Sequence, residues 1–153
     1  MTTPVSPNTT AMSQIRTPMD TSVPDSAKAL EMITKILAET PDALFAVLVG
    51  SRADGSATNE GSDWDIAIQW RHGAALERVG KHEWLRHRLA TALALPDGQV
   101  DLIDLANARL AMKALVAEEG KLLVANDMRA WMKFLTRTWR ELEDFYWERT
   151  HAA

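Results

Sequence analysis

The chain has 153 residues, 46% of them hydrophobic, a formal net charge of −4 and no cysteine. That length suits one ordinary globular domain with a sizeable core, and the acidic balance disfavours charge-driven binding to nucleic acid, so no direct contact with it is expected. The lack of cysteine excludes a disulfide framework, a thiolate metal site and a cysteine nucleophile, and fits a reducing, cytoplasmic setting; no stretch has the apolar length of a membrane span.

Residues 1–23 are rich in Thr, Ser and Pro with few apolar anchors, which predicts a disordered tail ahead of a folded domain over residues 24–153. Leu30, Ile33, Ile36 and Leu37 recur at helical spacing, with Ser22 or Asp25 available as a cap. The next stretch organises the chain. A greasy run from Leu44 to Val49 ends in Gly50-Ser51, a polar loop follows, and Asp63-x-Asp65 opens a second greasy run to Trp70. Each run is long enough for a buried strand and too short for a typical helix. Gly50 lets the backbone approach a neighbour closely and Ser51 adds a hydroxyl and an N–H, a combination suited to a polyphosphate. Asp63 and Asp65, two apart at a strand start, leave one face together, where their charges repel unless a cation intervenes; an oxygen-only pair of this kind suits Mg²⁺.

From Gly73 to Leu95 a crossover helix is expected, with Leu76, Val79, Leu85, Leu89 and Leu93 inward. Arg78, Lys81, His82, Arg86, His87 and Arg88 then form a solvated basic face, or a surface for an acidic partner. After the Pro96-Asp97-Gly98 turn, Val100 to Leu105 reads as a third strand. Alternation puts Asp101 and Ile103 on one face and Leu102 and Asp104 on the other, so only one of the two carboxylates can readily join the first pair. A helix from Asn107 to Glu119 is stopped by Gly120 at a favoured C-cap position, and Lys121 to Val124 forms a short edge strand. In the last helix, Asp127 to Thr150, residues Met128, Trp131, Leu135, Trp139, Leu142 and Tyr146 form a stripe toward the sheet. Met132 and Trp147 fall outside it and predict a second contact, with a partner protein or a second copy of the chain.

The pattern Gly50-Ser51, eleven residues, Asp63-x-Asp65, worded GSRADG and GSDWDIAI, resembles the signature of the DNA polymerase β-type nucleotidyltransferases, and most closely the minimal nucleotidyltransferases. These include MntA-like antitoxins paired with HEPN toxins. The resemblance covers roughly Leu44 to Val124; Asp54 stands where that family commonly has a second Arg. It implies an α/β fold, a small mixed sheet with helices packed mainly on one face. It also selects Asp101, in the stretch VDLIDL, as the third carboxylate. The catalytic and metal-binding set it implies is Asp63, Asp65 and Asp101 with two Mg²⁺ ions; Gly50, Ser51 and Arg52 would hold the triphosphate of ATP. The implied activity is transfer of AMP to a hydroxyl, a tyrosine of a HEPN ribonuclease toxin, which makes the chain an antitoxin. Rival readings are an aminoglycoside-type small-molecule nucleotidyltransferase and a non-catalytic antitoxin that acts by contact alone.

Overall fold

The computed structural model describes residues 25–55 and 62–152; the expected N-terminal tail lies outside the described residues. The elements run α1 (Ser26–Ala38), β1 (Ala43–Val49), α2 (Ser51–Asp54), β2 (Trp64–Trp70), α3 (Ala75–Ala92), β3 (Val100–Asp104), α4 (Leu110–Glu119), β4 (Lys121–Ala125) and α5 (Met128–His151). The four strands form one mixed sheet in the order β3-β2-β1-β4. β1 is antiparallel to β2 and β4, and β3 is parallel to β2 because α3 crosses over between them.

The α/β class and mixed sheet are as expected, but the helices are less one-sided. β1 is apolar at every position and buried almost throughout, so both of its faces need cover. Ala46 and Leu48, with Ile66 and Ile68 of β2, face α1 and α3. Phe45, Val47 and Val49, with Ala67, face α4 and the first turns of α5, where Trp131 and Phe134 pack on Phe45. Asp25 caps α1 by accepting from the Lys28 N–H at 2.8 Å. Gly120 does end α4, but with an extended backbone rather than the left-handed one of a glycine cap. What it supplies is space: a Cβ there would lie 2.4 Å from Val47 Cγ1 and 2.5 Å from the Val116 carbonyl oxygen.

Two helices depart from the expected pattern. In α3, Leu76 and Val79 are 85% and 59% exposed. The inward stripe is Arg78, His82, Leu85 and Leu89, and its two polar members hide it from a reading of hydrophobic spacing. Arg78 reaches Asp104 at 3.0 Å. His82, expected on the solvated face, instead accepts from Trp70 Nε1–H at Nδ1 (3.1 Å) and donates from Nε2 to the Leu102 carbonyl (2.8 Å). Because the indole can only donate, this assigns the neutral tautomer with its proton on Nε2. The remaining basic residues of α3 are paired as well: Lys81 with Asp42 and Glu77, Arg86 with Glu83, Arg88 with Glu39. Lys81 holds the Asp42 carboxyl below its ordinary range.

The α5 stripe is also shifted. Trp131, Phe134, Leu135, Thr138 and Leu142 are the residues turned inward, whereas Met128, Trp139 and Tyr146 are exposed. A helix of 24 residues is roughly 36 Å long at 1.5 Å per residue. The seven-residue β1 spans roughly 23 Å. The end of α5 therefore overhangs the sheet with Phe145, Tyr146 and Trp147 in solvent.

Candidate active site

The end of β1 and the starts of β2 and β3 meet at one edge of the sheet. Val49, the last residue of β1, is level with Asp65 on β2, and Asp65 is level with Asp101 on β3. Strands in register lie about 4.8 Å apart and side chains alternate between faces, so Asp65 and Asp101 leave adjacent strands on the same face. Asp63 stands one residue before the strand, two before Asp65, and is exposed. The network at His82 helps to hold this register, since one imidazole bridges β2 and the carbonyl next to Asp101.

Asp65 senses the other two carboxylates. Asp65 is half-buried, and its pKa is raised above the ordinary value, first by desolvation, then by the charges of Asp101 and Asp63. Among the described residues no three side chains of ligand type converge into a ready-made metal cage. A carboxylate pKa raised by burial and by neighbouring carboxylates is a common electrostatic mark of functional sites. The donor set, all oxygen and all anionic, fits a hard divalent cation.

Gly50, the residue after β1, lies close against this cluster. Its backbone lies at φ 77°, ψ −158°, and a Cβ built on it would fall 2.6 Å from Asp65 Oδ2. The sequence called for a glycine so that something could approach closely; within the protein that something is the Asp65 carboxylate. Ser51 then opens the four-residue α2 beside it. Arg52 anchors the loop. Its Nε and Nη2 donate to the Ser62 carbonyl at 3.1 and 2.9 Å, its Nη1 donates to Ser26 Oγ at 3.2 Å, and the guanidinium lies 4.1 Å over the Trp64 ring. Arg52 thus ties the end of the loop to α1 and to β2. Asp104, on the opposite face of β3, pairs with Arg78 and accepts from the Ala106 N–H, a capping role.

A feature that hydrophobic spacing did not single out is a cleft of about 570 Å³ between the far end of β2 and α5. It lies away from the carboxylates and is lined by Arg78, Lys113, Arg129, Lys133 and Arg137. The spacing of the last three, four residues apart, was the available signal.

The family of polymerase beta nucleotidyltransferases matches residues 31–129. No curated protein sequence matches the chain. Solved structures do. A toxin–antitoxin complex with AMP-PNP superposes with a TM-score of 0.60 at 27% identity, over 79% of this chain and 92% of that one. The tri-AMPylated HEPN toxin of Shewanella oneidensis in complex with MNT antitoxin gives 0.57 at 25%, over 81% and 92%. An MntA toxin–antitoxin mutant gives 0.60 at 25%, over 79% and 92%. With that match over most of its length, and with the paired carboxylates, their partner on β3 and the glycine turn in one place, the chain belongs to the polymerase beta nucleotidyltransferase family, and it is a nucleotidyltransferase.

Proposed function

We propose that this protein transfers AMP from ATP to a tyrosine hydroxyl of a HEPN-type toxin and silences that toxin as its antitoxin. The observation that carries the reading is the register of Asp65 with Asp101, with Asp63 beside them and Gly50 packed against Asp65. The similarity to an MNT antitoxin whose HEPN partner is tri-AMPylated supports the acceptor class. The similarity to a complex with AMP-PNP supports the nucleotide.

In this reading Asp63 and Asp65 would hold a hard divalent cation such as Mg²⁺, and Asp101 would contribute to a second. Bound there, such cations would supply charge stabilisation to an in-line displacement at phosphorus. Gly50 and Ser51 present backbone N–H groups and a hydroxyl to the phosphates, at the start of a helix turn where N–H groups lack partners within the helix. Asp101, exposed at the edge of the sheet, accepts the proton of the acceptor hydroxyl. The acceptor oxygen bonds to the α-phosphorus, the bond from that phosphorus to the oxygen of the β-phosphate breaks, and pyrophosphate leaves. No side chain of the protein acts as nucleophile.

The acceptor has to arrive on a partner, and α5 offers the surface. Trp139, Phe145, Tyr146 and Trp147 are exposed along its outer and overhanging parts, from 42% at Phe145 to 63% at Trp147. Exposed aromatic clusters of this kind mark protein contacts, and one such anchor commonly contributes about 2 kcal/mol or more to binding.

The test is to incubate the protein with ATP, Mg²⁺ and the toxin encoded beside it, and to weigh the toxin by mass spectrometry. A gain of one or more AMP units is expected. Asp101→Asn should abolish the gain while the complex still forms. Trp147→Ala should weaken the complex about tenfold or more and leave ATP binding unchanged. Neutralisation by the Asp101→Asn protein at full strength, with no change in toxin mass, would replace the enzyme by an antitoxin that acts through contact alone.

A further inference from the structure

The last helix segregates its charge. From Met128 to Arg140 it carries four cations, Arg129, Lys133, Arg137 and Arg140, and no acid; from Glu141 to Glu148 it carries four acids, Glu141, Glu143, Asp144 and Glu148, and no cation. Six of these eight share one face. Arg129, Lys133, Arg137, Glu141, Asp144 and Glu148 follow one another at intervals of three or four residues, the spacing that stacks side chains in a row, and all six are exposed.

That order is unfavourable within one chain. Like charges are neighbours in both halves of the row, and the helix dipole favours the opposite arrangement, with acids at the start and cations at the end. Neighbouring elements do little to offset this. Among the described residues only Glu141 of the six makes an ion pair, with Lys113 at 3.7 Å. A second α5 laid antiparallel against the row reverses every sign. About a two-fold axis level with Thr138 and Trp139, Arg129 meets Glu148 of the second copy, Lys133 meets its Asp144 and Arg137 meets its Glu141, and the symmetry makes each pair occur twice. A parallel pairing would instead set cation on cation and acid on acid.

The two halves of the row also differ in shape. The cationic half borders the cleft of about 570 Å³, where Leu44, Ala130 and Phe134 provide an apolar floor. The acidic half ends on the overhang, beyond Leu142, the last buried residue of α5. Phe145 stands there between Glu141 and Glu148 on neighbouring turns of the helix, and is 42% exposed. An apolar side chain among acids thus matches an apolar floor among cations. We propose that two copies of this chain pair through α5, antiparallel, each laying its acidic overhang along the cationic row and into the cleft of the other. Trp139 and Tyr146 lie roughly 150° round the helix from the row, so the pairing leaves them open to the toxin. The pairing is independent of the transfer reading.

Sedimentation of the full chain without its toxin tests the pairing. A dimer is expected in low salt, weakened about tenfold or more in about 1 M salt, where screening shortens to about 3 Å. Arg129→Glu/Lys133→Glu and Asp144→Lys/Glu148→Lys each set like charges face to face and should weaken the dimer about tenfold or more. Mixed in equal amounts, the two variants should form a heterodimer as tight as the wild-type dimer, because every reversed position then meets a reversed partner. That recovery also shows that both variants fold. Should either melt early, the single changes Lys133→Glu and Asp144→Lys serve for the same mixing experiment. A wild type that stays monomeric in low salt overturns the proposal, and so does a dimer that ignores both reversals. A mixture of folded variants that remains monomeric overturns it as well, since the contacts are then not mutual. A monomeric wild type whose reversals lose the toxin would assign the row to the toxin in place of a second copy.

Discussion

Asn at both positions 63 and 65 is expected to leave a folded protein whose transfer of nucleotide falls by about a thousandfold or more. The magnitude follows from removing preorganised charge stabilisation at a reacting phosphate, where single donors already account for about a hundred- to thousandfold. Folding should survive, because Asp63 is exposed and Asp65 only half-buried at the sheet edge, and neither carries core packing. A transfer assay together with a thermal melt checks both halves of the statement. Transfer at the wild-type rate would remove the carboxylates from the mechanism.

The same change has a signed effect on stability. Asp65 has a pKa raised in the folded protein by desolvation, Asp101 and Asp63. A folded state with the higher pKa binds more protons than the unfolded chain between the two pKa values, so through that window stability falls as pH rises. Above the folded pKa the penalty is complete, and acidification back through it restores the loss. Asp65→Asn should therefore melt at or above the wild-type temperature at neutral pH, and its melting temperature should depend less on pH in the acid range. Mg²⁺ should raise the wild-type melting temperature and leave the double Asn variant unmoved, since a ligand that binds only the folded state stabilises it by mass action.

Much of this site was legible before the structure because the chemistry constrains spacing. Two continuous apolar runs of strand length, parted by a polar loop, located β1 and β2, and alternation within VDLID was sufficient to place Asp101 and Asp104 on opposite faces of β3. The parallel register, Asp65 beside Asp101, required the crossover of α3, and the sequence alone left open which carboxylate would join the pair. What escaped was written in polar residues. The inward stripe of α3 runs through Arg78 and His82, so Leu76 and Val79 attracted an assignment that the sheet does not support. Arg52 follows the glycine turn, and its planar fork also reaches the Ser62 carbonyl and the Trp64 face, a contact across ten residues that no local pattern announces. On α5, hydrophobic spacing gave a helix but not its overhang, because helix length exceeds sheet length by an amount set by tertiary structure.

Gly50→Ala is expected to harm both stability and transfer, and a second glycine separates the two causes. At φ 77° and ψ −158°, Gly50 occupies backbone space that is essentially closed to other residues, and forcing an alanine there costs about 1 to 3 kcal/mol. The new methyl would also lie 2.6 Å from Asp65 Oδ2, so the carboxylate must swing away from Asp63 and Asp101 or β1 must part from β2. Either movement spoils the geometry on which transfer depends, where displacement by about 1 Å can cost a hundredfold. Gly55, at the other end of α2, also has a positive φ, 79°, but a Cβ there meets nothing within 4 Å. Gly55→Ala should thus show backbone strain in a urea melt, about 1 kcal/mol for a left-handed residue, and keep its transfer rate. Equal loss of transfer in both variants would mean that the turn matters as a flexible hinge. Loss confined to Gly50→Ala would mean that the glycine is there to let β1 end against the carboxylate of Asp65.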